Sequence, residues 1–207
     1  MYSTVFSETK TEYVEKRSRF IATLRHCETE EEANAFLEEM RSKYWDARHN
    51  CFAYSVNEGK LCRFSDDGEP HGTAGKPMLD VITGSGITNI AVVVTRYFGG
   101  VLLGTGGLVR AYSKSVQDCL ALAEVFTMIP SSVLSITCEY TDHGKLVNLL
   151  SSYDCEIVNT DFTQNVTVTF SIKDARLEEF SKKLTETFSA RLNFTEKEKK
   201  LMPFKEK

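Results

Sequence analysis

Apolar residues recur along this chain at two spacings, every second position and every three to four, and their succession lays out the elements. Ser18 to His26 has strand character. Thr29-Glu-Glu-Glu32 then makes a capping box ahead of Ala33, Phe36, Leu37, Met40 and Tyr44 at helical spacing, so an amphipathic helix follows. Asn50 to Val56 alternates Phe52, Tyr54 and Val56 against Cys51, Ala53 and Ser55. Asn57-Glu-Gly59-Lys60 separates it from Leu61 to Ser65 as a hairpin turn does. Pro77 suits the start of a short helix through Met78, Leu79, Val81 and Ile82 that Gly84 closes, and Ile90 to Val94 reads as a fully buried strand. From Leu108, the residues Tyr112, Ser115, Cys119, Leu122 and Phe126 predict a helix of about 20 residues. The first half is thus β-α-β-β-α-β-α.

Pro130-Ser131-Ser132 marks a break, and the pattern restarts with a strand at Val133 to Glu139 and a helix opened by Asp142 over Leu146, Val147, Leu149 and Leu150. Strands at Cys155 to Phe162 and Val166 to Ile172 flank the turn Thr163-Gln-Asn165. A helix from Asp174 aligns Leu177, Phe180, Leu184 and Phe188, and a strand near Leu192 to Phe194 leads into a charged tail, Glu196 to Lys207, expected to be solvated. The order β-α-β-β-α-β is that of a ferredoxin-like fold. The expectation is an α+β chain of two domains, residues 1–129 and 130–207.

Composition adds one clue and several exclusions. The 207 residues are 42% apolar with a net charge of −4, and the longest apolar run, Ile90 to Val94, falls far short of the ~20 residues of a membrane helix. The charged start Glu8, Lys10, Glu12, Glu15, Lys16, Arg17 has no signal-peptide core, so a cytoplasmic protein is expected. The six cysteines show no paired metal or redox spacing. His49-Asn-Cys51 alone sets a base near a thiol; no third orienting group can be read, and buried thiols are the simpler reading. The clue is glycine: ten of the twelve lie between Gly68 and Gly107.

Eight of those ten glycines fall in two loops that each lead into a helix. The first spans Phe64 to Pro77 and holds Asp66, Asp67, Glu69, His71 and Lys76. The second spans Thr95 to Arg110 and holds Arg96, Gly99, Gly100, Gly104, Gly106 and Gly107. Glycine lets the backbone approach a ligand closely, and unpaired N–H groups at a helix start attract anions. No acidic residue occurs from Val81 to Gln117, whereas Arg96, Arg110 and Lys114 do. The candidate anion- or RNA-binding set is therefore Lys76, Arg96, Gly99, Gly100, Gly104, Gly106, Gly107, Arg110 and Lys114, with His49, Asp66, Asp67 and Glu69 as auxiliaries. The competing readings are tight turns with solvated arginines, or a protein partner. Named phosphate motifs fail: Thr105 and Gly106 stand where a P-loop needs Lys and Ser/Thr, and Gly104-Thr-Gly106 is followed by Val109 where a dinucleotide fold needs glycine. Asp66, Asp67 and Glu69 lack calcium-loop spacing; a turn whose acids cap N–H groups is preferred to a Mg²⁺ site.

With these residues assembled, the chain resembles the YigZ/IMPACT family. The likeness rests on Ser18-Arg-Phe-Ile21, Asp46-Ala-Arg-His49-Asn-Cys51, Phe64-Ser-Asp-Asp-Gly-Glu-Pro70, Gly72-Thr-Ala-Gly-Lys-Pro-Met78, Val93-Val-Thr-Arg-Tyr-Phe-Gly-Gly100 and Leu103-Gly-Thr-Gly-Gly-Leu-Val-Arg-Ala-Tyr-Ser113. Tyr140-Thr-Asp-His143-Gly-Lys145-Leu146 extends it to the C-terminal domain of bacterial members; His71 and His143 depart from the pattern. The resemblance implies a first domain similar to the second domain of a small-subunit ribosomal protein and a second similar to the last domain of elongation factor G. Eukaryotic relatives of the first domain regulate translation initiation by competing for a ribosome-associated co-activator of a starvation kinase. Some bacterial members have been labelled dipeptidases, but neither H-E-x-x-H nor G-x-S-x-G occurs here.

The expectation is a non-enzymatic, translation-linked regulatory protein that contacts RNA, the ribosome or a ribosome-associated partner, with no catalytic residue, metal or cofactor assigned. The alternative is an enzyme acting on a small phosphorylated or carboxylated substrate with Mg²⁺. A third reading is a protein-interaction module working through the C-terminal domain.

Overall fold

The computed structural model describes residues 1–205. Its backbone contacts divide the chain into two compact units, Tyr2–Thr127 and Met128–Phe204. The fold is mixed α+β, with two sheets and five helices among the described residues.

The first unit opens with two strands that the hydropathy pattern had not announced, β1 (Tyr2–Val5) and β2 (Thr9–Glu15). Along β2, Lys10, Glu12 and Val14 face solvent while Thr11 and Tyr13 turn partly inward, the alternation of a polar edge strand. The elements that follow are β3 (Ser18–His26), α1 (Glu30–Lys43), β4 (His49–Val56), β5 (Leu61–Ser65), α2 (Gly75–Ser85), β6 (Ile90–Tyr97) and α3 (Thr105–Leu122). The expected β-α-β-β-α-β-α order therefore lies behind two extra strands. At α1 the cap forms with one shift of partner: Thr29 Oγ1 accepts from the Glu32 N–H, while the Glu32 carboxylate accepts from the N–H of Glu28, one residue before the cap, and not from that of Thr29.

The sheet runs β2-β3-β6-β4-β5, antiparallel throughout. β6 lies at its centre and is apolar on both faces because both are covered. Phe20, Ala22, Leu24, Val92 and Val94 pack against Met78 and Ile82 of α2 and Leu108, Ala111, Tyr112 and Val116 of α3. Ala91, Val93 and Tyr54 pack on Ala33, Phe36, Leu37 and Met40 of α1. The register sets Phe20 and His49 on either side of Arg96, and Arg19 opposite Tyr97.

Two boundaries differ from expectation. α3 stops at Leu122, and β7 (Val125–Cys138) runs through Pro130 instead of breaking there. The proline sits just before the stretch of β7 that pairs with the strand at Val166–Lys173, whose register begins at Ser131.

The second unit contains most of β7, then α4 (Tyr140–Ser152), β8 (Glu156–Phe162), β9 (Val166–Lys173), α5 (Asp174–Phe188) and β10 (Phe194–Lys205). β9 lies between β7 and β8, and β10 pairs with β7, giving a ferredoxin-like β-α-β-β-α-β unit. One core joins Leu134, Ile136, Val168 and Phe170 of the sheet to Leu146, Leu150, Phe180 and Leu184 of the helices. The expected solvated tail is corrected: through Lys205 it is a strand whose charged side chains face water while its backbone pairs. Glu206 and Lys207 lie outside the described residues.

Candidate functional site

The two glycine-rich loops meet at one end of the first sheet, and beneath them lies a closed polar chain. Arg96, expected on a basic strip, is only 6% exposed. Its Nη1 donates to Glu69 Oε1 at 2.6 Å, and Tyr112 donates to the same oxygen at 2.8 Å. The Cys51 thiol faces both the Tyr112 hydroxyl (3.3 Å) and the Asp66 carbonyl (3.0 Å). His49 Nδ1 bonds the Asp67 carbonyl at 2.8 Å, and its Nε2 stands 4.0 Å from Glu69. The Arg96 guanidinium also sits 5.5 and 5.6 Å from the ring centres of Phe20 and Phe98, and its Nε, buried, makes no hydrogen bond. Arg96 is thus neutralised inside the fold, because its alternation with Val92 and Val94 aims it beneath α3. A surface contact with an anion is not open to it.

Burial pushes the Cys51 thiol far above the usual range, and the carboxylates of Glu69, Asp67 and Asp66 push it further. Tyr112 is raised by burial in the same way. No thiolate forms there near neutrality, and nucleophilic chemistry at Cys51 has no support.

The auxiliary acids are occupied. Burial works to raise Asp66, but the N–H groups of Gly72, Gly75 and Ala74, at 2.8, 2.8 and 3.0 Å, outweigh it and hold the carboxyl below its ordinary value. Asp67 accepts the Asn50 N–H at 2.7 Å. This is the N–H-capping turn. Among the described residues no three His, Cys, Asp or Glu side chains gather as metal ligands.

The remaining cations separate by partner. Lys76 pairs with Asp80 and Lys114 with Asp118, each one helical turn on. Arg110 is exposed on α3 and enters no ion pair among the described residues. Lys16, Arg17 and Arg48 share that state, although sequence reasoning did not select them. Lys16 and Arg17 form the β2–β3 turn, and a Cβ on Gly99 would fall 2.0 Å from the Arg17 carbonyl carbon, so this turn touches the second loop. Beyond Gly99, Gly100 and Gly104 adopt positive φ with open space beside them, Gly106 is exposed in the first turn of α3, and Gly107 packs on Leu103. Phe98, Val101 and Leu102 are exposed. Lys16, Arg110 and Lys114 line a cleft of about 490 Å³ together with Glu15, Tyr13 and Gly107.

Residues 16–120 match the family model described as the Impact N-terminal domain, and residues 136–191 match a domain of unknown function, DUF1949. The chain belongs to the IMPACT family. It is 42% identical over 174 residues to the IMPACT family member YigZ of Escherichia coli, covering 83% of this chain and 85% of that one. A protein IMPACT homolog of Dictyostelium discoideum is 37% identical over 95 residues, 44% of this chain and 27% of its own. The crystal structure of a hypothetical protein superposes with a TM-score of 0.58 at 38% identity, covering 96% of this chain and 98% of that one. Both glycine loops and the buried Arg96–Glu69–Tyr112 chain fall within the Impact N-terminal match. No helix of the described residues is long and apolar enough to cross a membrane.

Proposed function

We propose that this IMPACT family member is a non-enzymatic, translation-linked regulatory protein whose first unit holds RNA, the ribosome or a ribosome-associated partner at the glycine-loop end of its sheet. One observation carries the reading: Lys16, Arg17, Arg48 and Arg110 stand there without carboxylate partners in a chain of net charge −4. Free cations beside an open, glycine-lined backbone suit an extended polyanion, and the likeness to eukaryotic IMPACT proteins supports a link to translation. Lys76, Lys114 and the glycines of the second loop belong to this surface as rim and backbone; Arg96 belongs beneath it, holding the first loop through Glu69. Ribosome co-sedimentation and RNA affinity of the Arg17→Ala/Arg110→Ala variant test the proposal, which predicts that both fall. If neither changes while the variant stays folded, the reading is wrong.

The cleft at Lys16, Arg110 and Lys114 is of a size for a small ligand, and it favours the second reading, an enzyme for a phosphorylated or carboxylated metabolite. A thermal-shift panel of nucleotides and phosphometabolites with and without Mg²⁺ decides it. A ligand at 100 times its Kd adds about 2.7 kcal/mol, so a panel without shifts removes this reading.

A further inference from the structure

We infer that Trp45 is a base-stacking platform and that the RNA held at this end of the sheet is single-stranded. The inference rests on the reading above and adds the form of the ligand and a residue outside both glycine loops. Trp45 is the chain's one tryptophan and is 82% exposed, in the connection between α1 and β4. Its neighbours are fixed around it. The Tyr97 hydroxyl donates to Asp46 at 2.8 Å, and Lys10 and Lys43 each lie 5.7 Å from the Tyr44 ring centre. Because Tyr97 ends β6 and leads directly into Phe98, this hydrogen bond ties the Trp45 connection to the second glycine loop, whose Phe98 is also half-exposed.

Lys10, Lys43 and Arg48 enter no ion pair among the described residues, so three cations without a carboxylate partner, two of them over the Tyr44 ring, stand on or beside the segment that presents the indole. Flat rings interleaved with free cations match a single strand, whose bases offer π-faces while its phosphates meet the charges. Duplex RNA keeps its bases stacked inside and is recognised by shape and 2′-hydroxyls, for which an exposed indole has no use. An acidic protein surface would satisfy the cations and leave the ring without a flat partner.

The lone tryptophan makes the test direct, since intrinsic fluorescence reports on Trp45 alone. The full chain is titrated at low salt with a single-stranded RNA of about 12 nucleotides, the matching duplex, and polyglutamate, following Trp45 emission and the anisotropy of labelled probe. The single strand is expected to quench Trp45. Trp45→Ala is expected to weaken its binding about tenfold, roughly 1.4 kcal/mol, with the melting temperature unchanged, and Trp45→Phe to recover most of the loss. Single-strand binding without quenching and unaffected by Trp45→Ala overturns the platform and leaves the RNA reading standing. Equal affinity for the duplex overturns single-strand preference. Failure of every RNA to bind, or binding of polyglutamate alone, overturns both this inference and RNA as the ligand of the surface.

Discussion

The two glycine-rich loops share their glycines and end in opposite states. In the first, Asp66 collects three N–H groups, Asp67 takes a fourth, Glu69 turns inward to Arg96, and a Cβ on Gly75 would meet the Ser65 backbone at 2.7 Å. Its carboxylates are used up by the fold. The second packs closely at Gly99; past it the chain stands clear, with exposed apolar side chains and a helix start, Gly104, that no side chain caps. Each loop uses one glycine for close packing against backbone, Gly75 and Gly99, and others at positive φ in open space, Gly72 in the first and Gly100 and Gly104 in the second. What separates them is whether the neighbouring polar groups already have partners.

The sharpest way to break this contrast is Glu69→Ala. It leaves the Arg96 charge buried and unpaired, so urea unfolding should register a loss of about 3 to 5 kcal/mol. A loss below about 1 kcal/mol would mean that the first loop is not internally saturated. Next come the glycines. Gly75→Ala and Gly99→Ala force a Cβ into backbone and should each cost about 1 to 3 kcal/mol or more, whereas Gly106→Ala, with only the Arg110 side chain nearby at 3.6 Å, should stabilise by about 0.4 to 1 kcal/mol. Thermal melts giving the three variants equal stability would erase the distinction.

Asp66 sharpens it through pH. Its folded carboxyl is held below the unfolded value of about 3.9, so its stabilisation is present above that pH and is lost as pH falls through the lower folded value. Asp66→Asn should be less stable than the parent at pH 7, with the difference closing below about pH 4; urea midpoints at pH 7 and pH 3 that show a constant gap would refute the assignment. The smallest effect on the fold is expected at Arg110. Arg110→Ala should change stability by no more than about 0.5 kcal/mol, yet reduce the log–log salt slope of single-stranded RNA binding by about 0.7. An unchanged slope would remove Arg110 from the surface.

Legibility in the sequence followed the strength of each element's own periodicity. α1 carried a capping box and five apolar positions at helical spacing, and β9 alternated cleanly, so both lie close to where the pattern put them. β2 was missed because its outward positions include Lys10 and Glu12, which read as a charged leader until Glu12 is seen paired with Arg19 of β3. The length of β7 was missed because Pro130 read as a break, whereas the strand runs through it from Val125 to Cys138. In the candidate site, the acid-free stretch around Arg96, Arg110 and Lys114 was visible, but the three proved unequal: one is buried, one is free and one is paired. Tyr112 was legible as a helix residue facing the core, with nothing to announce its bond to Glu69. Lys16 and Arg17 were read as part of a charged start, and Trp45 carried no signal at all.

By itself, the sequence determined the mixed α+β class, most of the element order and the family, because periodicity and contiguous motifs are local properties of the chain. Tertiary structure alone decided which charges remain free. Glu69 and Arg96 are 27 positions apart, and Glu69 and Tyr112 are 43 apart. They meet because the β3–β6–β4 register and the seating of α3 bring them beneath the loops. A charge's partner is settled by such distant packing, and it is the partner that turns one arginine into internal structure and leaves another exposed for binding.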